Sequence, residues 1–173
     1  YKEASKKIYA AKGRPSDNPL ILHIADMEQF YPLIKTDNAK IIARAEALAD
    51  VFWPGPLTMI LPKADNIPYE TTGGLDTVAI RMPSHLVARA LLQECKMPIA
   101  APSANLSGRP SPTSASHVIE DMNGRIEMII DGGDVGIGVE STIIDLTGEV
   151  PMLLRPGFVT PEMLQQVLGT VET

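Results

Sequence analysis

The chain has 173 residues, 45 % of them apolar and 21 % charged, enough to bury a sizeable single core, and this excludes disorder, collagen and coiled coil. Fifteen Lys plus Arg against twenty-one Asp plus Glu give a net charge of −6, the wrong sign for holding nucleic acid by bulk electrostatics, so any anion site has to be local. One cysteine, Cys95, rules out an internal disulfide, and His23, His85 and His117 are too widely separated to suggest a metal cage.

Apolar periodicity alternates between helix and strand. Residues 2–11 read as an amphipathic helix broken by Gly13 and Pro15, and Leu20 to Ile24 as a strand. From Thr36 to Phe52 the positions Ile41, Ala45, Leu48, Ala49 and Phe52 keep a helical period, with Thr36 or Asp37 as N-cap and Pro54 as the stop. Short apolar runs at 57–61, 77–82, 98–101, 127–131 and 141–146 are strand candidates. Ser84 opens a helix to about Cys95, Thr113 another to about Met122, and Pro161 to about Leu168 forms the last. This alternation predicts one α/β domain over 1–173 with a twisted mixed or parallel sheet flanked by helices. Without an apolar run of ~20 residues or an N-terminal h-region, a cytoplasmic protein with no membrane contact is expected.

Four loops rich in Gly and Pro carry the candidate chemistry. Lys12 and Arg14 straddle Gly13, a pair suited to phosphate oxygens and equally suited to a helix C-terminus. Pro102-Ser103-Ala104-Asn105-Leu106-Ser107-Gly108 follows an apolar strand, where Ser103 and Asn105 are placed to fix a nucleotide or simply to turn the chain. The glycine-rich stretch 132–138 leads to Ser141 and matches neither the dinucleotide fingerprint nor the P-loop pattern. Arg81 and Arg155 lie inside apolar strand-like stretches. A buried guanidinium needs a partner, so each is expected to emerge at a strand end and meet an anion, from the protein or from a ligand. His23 alternates with apolar neighbours as a structural histidine would; Trp53 reads as a core or rim anchor, and no GxSxG elbow is present.

Read together, KGRPSDNPL (12–20), FWPGPLT (52–58), VAIRMP (78–83), PSANLSG (102–108), GIGVESTIID (136–145) and LLRPG (153–157) resemble the threonylcarbamoyl-AMP synthase, or YrdC-like, family in order over nearly the whole chain. The resemblance implies a twisted sheet with a concave, locally basic face. It also implies an activity: L-threonine, bicarbonate and ATP, the last with Mg²⁺, give threonylcarbamoyl-AMP and pyrophosphate. A downstream tRNA-modifying transferase complex would use that product. By the family pattern Lys12 and Arg14 face the triphosphate as the catalytic cations, Ser103, Asn105 and Arg155 hold the nucleotide, and His23, Arg81 and Ser141 surround the threonine, with no protein-built metal site. Family members also carry an upstream strand and turn that help to bind threonine, so the resemblance further implies that Tyr1 begins a fragment. Two alternatives stay open: a diverged carbamoyl-AMP-forming relative, and a non-catalytic module with weak RNA binding, against which the net charge and the lack of interleaved aromatics speak.

Overall fold

The computed structural model describes all of residues 1–173. Seven α-helices run Lys2–Lys12 (α1), Met27–Phe30 (α2), Ala39–Phe52 (α3), Tyr69–Thr72 (α4), Leu86–Cys95 (α5), Ala115–Met122 (α6) and Pro161–Leu168 (α7). Six strands run Ile21–His23 (β1), Leu57–Pro62 (β2), Thr77–Arg81 (β3), Ile99–Ala101 (β4), Thr142–Asp145 (β5) and Met152–Arg155 (β6). They form one mixed sheet in the order β4-β1-β3-β2-β5-β6, parallel at β1–β3 and β2–β5 and antiparallel elsewhere. No helix is long and apolar enough to cross a membrane.

Side chains alternate across a strand, so register sorts the sheet into rows. Leu22, Ile80, Met59 and Ile144 are paired neighbours, all buried, and they form the core row. Onto it pack Ile41, Ala45, Leu48 and Ala49 of α3 and Leu164 of α7, the same helical stripe the periodicity picks out. The opposite face carries two rows. One is apolar, Ala101–Ile21–Ala79–Ile60; the other, two residues along, is His23–Arg81–Thr58–Ile143–Arg155. Helices α3 and α7 cover the core side of the sheet, and loops border the other.

Arg155 reaches that second row through a β-bulge. Ile144 pairs with Leu153 and the next residue back, Ile143, pairs with Arg155, so Leu154 is the extra residue. An unbroken strand would put Leu153 and Arg155 on the same face, in the core; the bulge turns the guanidinium outward.

Three expectations need correcting. Residues 127–131 form no strand: no backbone–backbone hydrogen bond involves them, and Met128 and Ile130 are exposed, because apolar composition without a paired neighbour does not make a strand. The caps shift by one or two residues to side chains whose acceptors reach a free amide: Asn38 Oδ1 accepts from Lys40 N at 3.0 Å, and His85 Nδ1 accepts from Val87 N at 3.2 Å. Ser114, not Thr113, occupies the N-cap position of α6.

The 13–19 loop is held from below by α4. Gly73, the α4 C-cap, has φ +62°, and a Cβ there would stand 2.6 Å from Asp17 O. Its neighbour Gly74 also has positive φ, +83°, but faces open space. Gly73→Ala therefore combines backbone strain with a clash, whereas Gly74→Ala carries strain alone. Urea denaturation should show Gly73→Ala less stable than Gly74→Ala by about 1–3 kcal/mol, and equal losses would contradict the proposed packing of Gly73 on the loop.

Candidate functional site

The two outer rows of the sheet floor a cavity of about 520 Å³, walled by the 13–19 loop, the loop after β4 and the glycine-rich stretch before β5. This volume lies within the range of small-molecule sites. Arg14, His23, Arg81, Ser103, Ser141 and Arg155 all line it. Six of the eight sequence-predicted site residues thus meet in one place.

Arg14 is aimed by its own loop. Helix α1 ends in a Schellman arrangement, with Arg14 N donating to Tyr9 O at 3.0 Å, Gly13 N donating to Ala10 O, and Gly13 left-handed at φ 62°. The chain then curls round the guanidinium: Nε donates to Asn18 O at 3.1 Å, and Nη2 to Asn18 Oδ1 and Pro19 O, both at 2.9 Å. No carboxylate pairs with it in an ion pair.

Arg81 is fixed by the Trp53–Pro56 turn. Trp53, buried, donates from Nε1 to Leu57 O at 2.7 Å, and Gly55 N donates to Met82 O at 2.8 Å. The turn thereby brings Gly55 O to Arg81 Nε, which donates to it at 3.2 Å. Arg81 also lacks a carboxylate, and burial followed by repulsion from Arg155 lowers its pKa from the ordinary guanidinium value. Arg155 does have an ion pair, with Glu140 at 2.9 Å, and its Nε donates to Ser141 O at 3.0 Å. The protein supplies an anion for Arg155 and none for Arg81. Around the cavity three guanidiniums face a single carboxylate, a local positive field in a chain of net charge −6.

Lys12 and Asn105 stand behind this wall and are not among the residues that line the cavity. Lys12 is 4 % exposed; its ammonium donates to the carbonyls of Ser103 and Asn105, while Ser107 N donates to Lys12 O at 3.0 Å. Burial, with a smaller contribution from Arg14, brings its pKa down to about 8. Lys12 thus ties α1 to the Ser103–Ser107 turn and also serves as the last residue of the capped helix. Asn105, 6 % exposed, donates from Nδ2 to Leu106 O and Arg109 O, both at 2.8 Å, and so staples its own loop. A long side chain on a helix end has many directions open to it, and sequence spacing does not choose among them.

Sequence reading missed Glu140, Ser111, Asn18 and Thr58. Ser111 Oγ donates to Glu140 Oε1 at 2.9 Å, so Glu140 links the loop after β4 to Arg155 at the cavity mouth. Thr58 carried a signal, as the one hydroxyl in the apolar run Leu57–Leu61.

His23 lies in the polar row beside Arg81, and its Nδ1 donates to Ile21 O at 3.0 Å. Burial first and the Arg81 charge second lower its pKa below the ordinary 6.5, so the ring is neutral at neutral pH. The unfolded chain then takes up the proton first on acidification, and stability is lost as the pH falls below about 6.5. Denaturation followed from pH 7 to pH 5 should show the wild type losing more stability than His23→Gln; parallel losses would count against an imidazole held neutral in the folded chain.

A family model described as Telomere recombination, covering the Sua5, YciO and YrdC proteins, matches residues 1–157. The chain is 58 % identical over 168 residues to the threonylcarbamoyl-AMP synthase of Pyrococcus abyssi and 55 % identical over 170 residues to that of Bacillus subtilis. These alignments take in 97 % and 98 % of this chain but 48 % of each relative, so the chain spans about half the length of the curated relatives it matches. A putative threonylcarbamoyl-AMP synthase of Mycobacterium tuberculosis is 35 % identical over 94 % of this chain and 72 % of its own length. Among solved structures, P. abyssi Sua5 complexed with L-threonine superposes with a TM-score of 0.93 at 56 % identity, over 98 % of this chain and 49 % of that one. With a matching family model over most of its length and the same sheet and flanking helices, the chain belongs to the Sua5/YciO/YrdC family.

Proposed function

We propose that this chain forms threonylcarbamoyl-AMP and pyrophosphate from L-threonine, bicarbonate and ATP. The product would pass to a cytoplasmic transferase complex that modifies adenosine in tRNA. The observation that carries the reading is the cavity with three guanidiniums around one carboxylate; one of the three, Arg81, is partly buried and has no ion-pair partner. Relatives bearing the synthase name and a Sua5 structure holding L-threonine support the choice of substrates.

In this reading the threonine amine adds to bicarbonate, water leaves, and a carbamate oxygen attacks the α-phosphorus of ATP while pyrophosphate departs. Such chemistry needs positioning and charge neutralisation rather than a covalent nucleophile. Arg81 offers the planar fork for the threonine carboxylate, with neutral His23 beside it in the same row and Ser141 held nearby by Arg155 and Thr58. Arg14, Arg155 and Ser103 take the phosphates and the nucleotide. Lys12 shapes the loop that carries Ser103 and lends its charge to the triphosphate side of the site, and Asn105 holds the same loop on the nucleotide side.

The chain builds no cage for the Mg²⁺ expected with ATP. No group of three or more His, Cys, Asp or Glu side chains converges, and the cavity's carboxylate, Glu140, is engaged by Arg155 and Ser111. The cation would arrive on the triphosphate.

Pyrophosphate release should require ATP, threonine and bicarbonate together, and release that ignores omission of threonine would overturn the reading. Arg81→Lys keeps the charge and loses the fork. Calorimetry should show threonine affinity falling roughly tenfold or more with ATP affinity far less affected, and the reverse pattern would assign Arg81 to the nucleotide.

A further inference from the structure

We infer that Thr58 is a positioning residue: it donates its hydroxyl proton to Ser141 and so turns the Ser141 proton toward an anionic oxygen of the bound ligand. The inference rests on the functional reading above for the identity of that ligand.

Thr58 is fully buried in β2, between β3 and β5, where apolar residues otherwise fill the strand. It does not line the cavity, while Ser141 does. Thr58 Oγ1 lies 2.8 Å from Ser141 Oγ and has no other hydrogen-bond partner. Ser141, 5 % exposed, receives a second bond from Arg155 Nη2 at 3.2 Å.

Proton accounting fixes the direction. A hydroxyl has one proton and two lone pairs, and a guanidinium only donates. If Ser141 gave its proton to Thr58, the Thr58 proton would be buried with no acceptor, a costly arrangement. Thr58 therefore donates. Both Ser141 lone pairs are then occupied, by Thr58 and by Arg155, and the Ser141 proton is left for a group in the cavity. That group has to be an acceptor, such as a carboxylate or carbamate oxygen, and an ammonium at the same point would find neither a free lone pair nor charge complementarity.

The register gives the same device a second connection. Thr58 is the cross-strand neighbour of Arg81 in β3 and of Ile143 in β5, which in turn pairs with Arg155. One buried hydroxyl thus lies between the two guanidiniums and orients the only hydroxyl that touches Arg155.

The test is a double-mutant cycle read by calorimetric threonine binding. Thr58→Val keeps the shape and removes the donor, and threonine affinity should fall roughly five- to tenfold with ATP affinity unchanged and the melting temperature preserved. Thr58→Ser should restore threonine binding. In a Ser141→Ala background, Thr58→Val should have no further effect, because its only route to the ligand is gone. An undiminished threonine affinity in Thr58→Val, or an equal further loss in the Ser141→Ala background, would overturn the inference. If the wild-type chain bound no threonine, the functional reading would fall, and the same cycle would be read with inorganic pyrophosphate: coupling through Ser141 supports the inference and additivity overturns it.

Discussion

The Arg81 guanidinium sets the terms for the rest of the site. A partly buried cation with no carboxylate is costly to keep, and here one backbone carbonyl, Gly55 O, is its direct hydrogen-bond acceptor. Keeping it requires the Trp53–Pro56 turn to be locked, which the Trp53–Leu57 and Gly55–Met82 bonds accomplish. It also requires the neighbouring Arg155 to be partly neutralised, as Glu140 does. The residual demand for negative charge is then directed into the cavity, where a ligand can meet it.

The sheet makes this arrangement possible by separating two jobs that a single face would confound. Leu22, Ile80, Met59 and Ile144 seal one side against α3 and α7, which frees the other side to carry charge. On that other side the apolar row and the polar row lie next to each other, so a ligand with one apolar and one anionic end meets both. The bulge at Leu154 is the single irregularity that places Arg155 on this face instead of in the core. A regular strand would bury an unpaired charge beside Leu153.

Much of this was legible in the sequence. Helical period predicted α3 and its buried stripe, and the α7 boundaries agree with the Pro161 start and the Leu168 end. Arginine inside an apolar strand signalled an anion, because burial of a lone charge is so unfavourable, and for Arg155 that anion is Glu140. Other features were not legible. The pairing of Glu140 with Ser111 spans 29 residues, and the Lys12 contacts to Ser103 and Asn105 span more than 90, distances over which local pattern carries no information. The 127–131 segment has the composition of a strand, yet pairing depends on a neighbour that composition does not reveal. The bulge was hidden for a related reason: alternation alone assigns Leu153 and Arg155 to one face.

A local cluster of arginines, and not the overall charge, would make this acidic chain an anion binder. Titration calorimetry with ATP, on the wild type and on an Arg14→Gln/Arg155→Gln double variant whose circular dichroism is native, tests it most directly. The account predicts saturable one-to-one binding by the wild type and a loss of roughly a hundredfold or more in the variant. Equal affinity in the two proteins, or no binding by the wild type, would contradict it.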